Sequence, residues 1–435
     1  MNGLRRLGWA SDREGPVSQV NLASWVANSR AAAIGLSWTT IGTITEQGSR
    51  FSTRRAILPE GVDYALGSLS TLTPSLTVLE IQFVLKDEVV RAFDAPLQHT
   101  YETYSEERGS SFTAYITPGQ QKQDAMLAAR RGMRKACGDW FRSNLPGVFS
   151  LELREDTLPS CEFITTRVAA PFMKTQHMSF DYYMWRLGLA GDWDVWQSDK
   201  LPGLGLRLPR GQGDDAFALV LAGRFDSIFP EDAMESWGGR TREGFANRLE
   251  IEIGRMIAAW AARTALIAYQ KRLTEIRDRA TLPQGKTRAA IQALDSVQKE
   301  LLHTSADAQR VSRDMAAMAE NERSYSRLFE IDFQPLAANR QDNEPSLIQV
   351  MQGDTLRRSH ALSEAEQHVR EVLLTSSNLA STTANLRLQR RITALTWVLL
   401  ILAILALLVP IYQFVHTDSE NSPSPSTAIT TTTHT

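Results

Sequence analysis

Catalysis needs nucleophiles, acids, bases or metal ligands at fixed spacing, and this chain of 435 residues holds few such sets. It contains no GxxxxGK loop, no HExxH, no CxxC pair and no GxSxG elbow. Gly203-Leu204-Gly205 and Gly211-Gln212-Gly213 resemble fragments of nucleotide-binding loops. A phosphate cradle has to open a helix, whereas strand-like runs flank both glycine pairs, so a hairpin turn is the simpler reading. Asp214 and Asp215 follow that loop with the ligand chemistry for a hard cation, although adjacent carboxylates at a turn are usually only solvated. The seven histidines are scattered. His360 and His368 lie about 12 Å apart along a helix, too far to share a metal. His99 with Glu102, and His177 with Asp181, have no evident third partner.

Two denser constellations remain. FDYYMWRLGLAGDWDVWQSD, residues 180–199, carries Phe180, Tyr182, Tyr183, Trp185, Trp193 and Trp196 among Asp181, Asp192 and Asp194. Aromatic faces beside carboxylates suit a ligand pocket or partner surface, with Trp185, Asp192, Trp193, Asp194 and Trp196 as the candidates; a local apolar core is the other reading. Arg130, Arg131, Arg134 and Lys135 recur near Trp140 on one expected helix, either to hold an anion or as a solvated face. No residue is assigned a catalytic role, and no cofactor or metal is expected. Two cysteines, Cys137 and Cys161, cannot build a disulfide framework or a four-thiolate site, and the bulk of the chain reads as cytosolic. A non-enzyme is the more natural reading.

The elements that would position these residues fall into an ordered series. A hydrophobic content of 43% with 22% charged residues is that of a folded protein, and the length allows two or three domains. A formal charge of −2 argues against nucleic acid as the main partner. Residues 1–229 alternate short strand-like runs with turns. SLTVLEIQFVL (75–85) is one such run, GVFSLEL and CEFITTRV form a hairpin-like pair, and GLGLRL with AFALVLAGRF form another. Thr117–Asn144 reads as a helix, opened by TPG and closed by Leu145-Pro146-Gly147. The expected fold is an α+β cytosolic head with a largely antiparallel sheet.

From residue 230 the periodicity becomes helical. A first helix is expected over about 240–279, with Leu249, Ile253, Met256, Trp260 and Ile267 on one stripe. After TLPQG, a 3–4 alternation runs through Leu294, Val297, Leu301, Thr304, Ala308, Val311, Met315, Met318, Glu322 and Tyr325. FQPLAANRQDNEPS reads as a linker. A third run passes through Leu362, Ala365, Val369, Val372, Ser376, Leu379, Thr383 and Leu386 into the apolar stretch 392–415. Residues 230–391 are therefore expected to form an antiparallel, coiled-coil-like stalk of three long helices.

Residues 392–415, ITALTWVLLILAILALLVPIYQFV, carry no charge and suffice for one membrane crossing, with Trp397 and Tyr412 toward opposite ends. Arg387, Arg390 and Arg391 precede the stretch, while Asp418 and Glu420 follow it, which places the N-terminal bulk in the cytosol. No secretory signal is read in the first residues. Residues 416–435, rich in Ser, Thr and Pro, are expected to be disordered. With the third helix running toward the bilayer, Arg277, Arg279, Lys286 and Arg288 are expected near the membrane beside the juxtamembrane arginines.

The order of parts resembles the CorA-type divalent-cation channels. An α+β domain leads to antiparallel long helices, the last of which enters the membrane, and NLRLQRRITALTWVLLILAILALLVP is similar in character to that family's stalk-to-membrane passage. The likeness covers roughly the C-terminal half and implies several copies around a pore. The family's Gly-Met-Asn motif and second membrane helix are absent, with VPIYQFVHTD in their place, and no functional residue is carried over. The expectation is a single-span anchored sensor or scaffold whose partners are the lipid bilayer and either a protein or further copies of itself. The alternatives are a CorA-like channel relative and a membrane-tethered enzyme.

Overall fold

A computed structural model describes residues 22–31, 36–46, 54–108, 112–145, 147–149, 158–167, 172, 186–189, 193–209, 217–237, 239–281, 287–336 and 344–417. The first helix is α1 (Leu22–Ala31). Four strands follow: β1 (Ser37–Thr45), β2 (Arg54–Arg55), β3 (Val62–Thr73) and β4 (Leu76–Leu85), arranged β2-β1-β3-β4. β3 and β4 form a hairpin whose turn is closed by Thr73 Oγ1, which accepts from the Leu76 amide at 3.1 Å. Strand alternation then divides the pair into two unlike faces. Leu79, Ile81, Phe83 and Leu85 pack with Ala65 and Leu69 in an apolar core. Val78, Glu80, Gln82 and Val84 stand opposite Ser70, Ser68, Leu66 and Tyr64 on the other face.

The helix α2 (Asp87–Gln98) and the ribbon β5 (Tyr104–Arg108)–β6 (Phe112–Ile116) lead to α3 (Pro118–Asn144). α3 starts where TPG requires: Pro118 needs no amide partner in the first turn, and Thr117 Oγ1 accepts from the Gln120 amide at 3.3 Å. Its two ends serve different cores. Trp140 closes the apolar face of the first sheet, edge-on to Phe83 at 5.5 Å and donating to the Ile57 carbonyl at 2.6 Å. Met126 packs instead with Val220 and Ala222 of the second sheet.

That second sheet comprises β7 (Ser160–Thr166), β8 (Trp193–Ser198), β9 (Leu204–Pro209), β10 (Ala218–Arg224) and β11 (Phe333–Pro335), in the order β11-β8-β9-β10-β7. β9 and β10 form the expected hairpin. β7 lies parallel to β10, from Ser160 beside Ala218 to Thr166 beside Arg224, and the hairpin expected between GVFSLEL and CEFITTRV falls largely on residues that are not described. Residues 150–157 lie outside the described residues. The physical reason for the parallel pairing is burial, since ALVLAG is covered on both faces and takes a neighbour at each edge, and a parallel one has to arrive by a crossover. Phe333–Pro335, expected as linker, adds the strand next to β8.

After the short helices α4 (Phe225–Ile228) and α5 (Glu231–Met234) come α6 (Arg242–Thr281), α7 (Thr287–Glu320), α8 (Glu322–Ser326) and α9 (Leu347–Thr417). α6 packs Ala246 against Tyr64 and Leu66, and its Trp260 indole donates to the Phe217 carbonyl at 3.2 Å. α7 buries Val297, Leu301, Ala308, Val311, Met315 and Met318 of the expected stripe. It stops before Tyr325, because Asn321 leaves helical geometry and caps α8 by accepting from the Ser324 amide at 3.0 Å. Gln352 donates to the Ala319 carbonyl and Ser305 to Glu366, so these pairs run in opposite senses along α7 and α9.

The chain forms two compact units, Met1–Asp278 with Lys299–Arg370, and Arg279–Gln298 with Glu371–Thr435. The first takes in the sheets together with most of the long helices. The second contains the one described helical stretch long and apolar enough to cross a membrane, Asn385–Pro410, whose side chains are exposed. It begins a few residues ahead of the expected Ile392.

Met315 is fully buried on α7, whereas Leu302 on the same helix is 65% exposed. Met315→Asp is expected to cost more than about 3 kcal/mol of unfolding free energy, and Leu302→Asp less than about 0.5 kcal/mol. Urea unfolding followed by circular dichroism checks both; equal costs would remove α7 from the core.

Candidate functional site

The expected aromatic–acidic constellation is placed only in part. Trp185 and Asp192 lie outside the described residues, as do His177, Asp214 and Asp215. Trp193 and Asp194 belong to β8, but their side chains are outside the description. Trp196 is 6% exposed and takes the core alternative for its own position. The arginine patch on α3 is also divided. Arg130 is buried, bonding Glu162 at 2.7 Å and the Leu187 and Gly188 carbonyls at 3.0 and 3.2 Å, with Arg134 3.5 Å from the same carboxylate. Arg207 donates to the Leu189 carbonyl at 2.6 Å from the other side. These guanidiniums fasten residues 187–189 rather than await an anion. Gly188 has φ +72 there, and a Cβ would stand 3.0 Å from the Leu127 backbone.

Of the basic residues expected near a membrane, Arg277 and Arg279 lie at the end of α6 and Arg288 in the first turn of α7, while Lys286 is outside the described residues. Arg387, Arg390 and Arg391 are exposed on α9. Their spacing of three and four puts them on one side of the helix.

Burial pushes the Cys137 thiol up to about 11 and the Cys161 thiol higher still, so neither is a thiolate nucleophile at neutral pH. Among the described residues no group of three His, Cys, Asp or Glu side chains is placed to hold a metal ion.

The structure assembles three polar clusters that spacing did not reveal. The first lies between the polar face of β3–β4 and α6. Ser70 Oγ donates to Glu80 at 3.2 Å, and Ser68 bonds Glu250, which α6 brings down onto the same face. Gly254, one turn beyond Glu250, leaves room for the Glu80 carboxylate; a Cβ there would lie 3.3 Å from its Oε2. Burial, with a smaller push from Glu250, raises the Glu80 carboxyl to about 8 against the Ser70 hydrogen bond, and burial raises Glu250 as well. Glu250 Oε1 and Gln82 Oε1 are buried without a hydrogen-bond partner among the described residues. At neutral pH Glu80 is therefore a neutral acid, able to donate among surrounding acceptors. The sequence signal was the single carboxylate within the apolar alternation of LTVLEIQFVL.

The second site is a cleft of about 480 Å³ where the start of β1, α6 and the segment after α8 meet. Trp38, Leu36 and Phe329 supply apolar surface; Arg255, Arg327 and Glu330 supply charge. Trp38 stands opposite Ser70, so the cleft and the Glu80 site share one face of the sheet. Arg255 bonds Glu330 at 2.7 Å. Leu36, entering β1, has φ 53, an uncommon left-handed conformation for a side chain of its size.

A third cluster ties α6 to α9. Asp354 is paired with Arg263, Arg357 and Arg358. Burial pushes its carboxyl up, but Arg263 and Arg358 outweigh that and hold it below the usual range. Arg263 also lies 4.7 Å over the Trp260 ring. Beside it, the buried Tyr325 hydroxyl meets Thr355 of α9 at 3.0 Å, and burial pushes the phenol up to about 12.

No family model, curated protein or solved structure matches this chain.

Glu80 generates a pH prediction. Unfolded, it releases its proton near 4.5; folded, it keeps it to about 8. Its contribution to stability is therefore complete below about 4.5 and is lost as pH rises toward 8, because the folded state binds the extra proton in that window. Glu80→Gln is expected to unfold at a urea midpoint close to that of the unsubstituted chain at pH 5, and at a higher one at pH 9. Parallel stability curves for the two proteins would show that Glu80 is ionised throughout.

Proposed function

We propose that this protein is a single-span, membrane-anchored sensor or scaffold. In this reading its α+β head stands in the cytosol on an antiparallel, coiled-coil-like helical stalk. The observation that supports it is the continuity of α9. This helix of 71 residues, roughly 105 Å long, begins at the buried Leu347 and Met351 and continues without a break through the apolar stretch Asn385–Pro410. The exposed arginines 387, 390 and 391 stand on the cytosolic side and meet anionic headgroups, with the tail on the opposite side. Self-association or a protein partner is served by the head and the long helices.

The full chain is expected to stay with membranes through alkaline carbonate washing. Leu402→Arg with Leu405→Arg is expected to lower the membrane-bound fraction at least tenfold, since each central arginine costs about 2.5–3.5 kcal/mol on insertion. A chain that washes off unsubstituted is not anchored by α9. Light scattering of the detergent-purified protein tests the rest of the reading: a monomer or dimer supports it, and a larger ring-like oligomer supports a pore instead.

A further inference from the structure

We propose that the Trp38–Arg327 cleft is the ligand site of the head and that it takes a small, planar organic anion. The inference rests on the sensor reading and names the chemistry of what is sensed. Three observations meet in it. The cleft, about 480 Å³ and open to solvent, is lined by three stretches distant in sequence. Its charge is unbalanced: Glu330 neutralises Arg255, whereas no ion pair or side-chain hydrogen bond of Arg327 is present among the described residues. The backbone is strained at the lining residue Leu36, whose φ of 53 the surrounding structure has to hold.

The residue types select the ligand. Trp38 is half-buried and presents a flat aromatic surface, and the buried Phe329 adds apolar surface beside it. Such surfaces bind a planar ring by apolar burial and offset stacking. Arg327, exposed and planar, offers two parallel N–H groups to a carboxylate or sulfonate. A cation is disfavoured, because Glu330 is already occupied by Arg255 and the remaining charge is positive. The position also suits a sensor. Arg327 is two residues beyond Tyr325, whose hydroxyl is bonded to Thr355 on α9, so a ligand drawing on Arg327 bears on the segment that touches the anchor helix.

The test uses the detergent-purified full chain with 2-naphthoate as probe and 2-naphthamide as its neutral counterpart, titrated by equilibrium dialysis. Saturable binding of the naphthoate is expected, at least tenfold tighter than the naphthamide. Arg327→Gln should bring the naphthoate down to the level of the amide, and Trp38→Ala should weaken both. Partition into micelles is common to all these proteins and cancels in the comparison. Circular dichroism of each variant establishes that it is folded. Equal binding of acid and amide, an unchanged affinity in Arg327→Gln, or no saturable binding below about 1 mM overturns the proposal. None of these outcomes touches the membrane anchor, which the carbonate wash tests on its own.

Discussion

The burial of α6 on almost every side is the constraint from which the rest of the first unit follows. From Met256 to Tyr269 the helix hides Ala258, Ala259, Trp260, Ala262, Thr264, Ala265, Leu266, Ala268 and Tyr269, so it has no continuous solvent face to spare. A helix that is apolar all round needs neighbours all round. The first sheet supplies Tyr64 and Leu66, the second a carbonyl from Phe217, and α9 the Asp354 carboxylate. The alanines let these elements approach closely, and α6 thereby becomes the shared wall of two sheets and the long helices.

That shared wall explains why polar groups are buried where they are. Covering both faces of β3–β4 leaves one face apolar, under Trp140, and one face carrying Glu80, Gln82, Ser68 and Ser70 beneath α6. A carboxylate in that position loses its water without gaining a cation, and neutralising Glu80 is the cheapest response. Asp354 shows the opposite outcome. It too is withdrawn from water, but three guanidiniums surround it, and it stays charged. Two carboxylates withdrawn from water thus take opposite protonation states: burial dominates at Glu80, with a smaller push from Glu250, whereas Arg263 and Arg358 outweigh burial at Asp354.

The functional reading follows the same geometry. The cleft at Trp38 sits at the rim of the wall, where β1, α6 and the segment after α8 fail to close over one another. Tyr325 and Thr355 connect that segment to α9, and α9 continues into the apolar stretch. The cleft is thus joined through Tyr325 and Thr355 to the part of α9 that belongs to the first unit.

Much of this was legible in the residues alone, for reasons that are local. The apolar end of α9 is a long uncharged run; the start of α3 is set by a threonine cap and a proline; the β9–β10 hairpin and the buried stripe of α7 follow from period 2 and period 3.6. Each depends on neighbours close in sequence. What only the tertiary structure decided depends on neighbours that are distant. β7 pairs in parallel with β10 across about fifty residues, Phe333–Pro335 joins β8 as a strand, and Arg130 spends its charge on Glu162 and two carbonyls rather than on a ligand. No local pattern encodes such partners, because hydrogen-bonding capacity states that a group must be satisfied and not by whom. The same holds for the candidate sites. A lone glutamate in an apolar strand, a glycine in a helix and a tryptophan opposite a serine carry no motif, and they acquire chemistry only when α6 lays them on one face of one sheet.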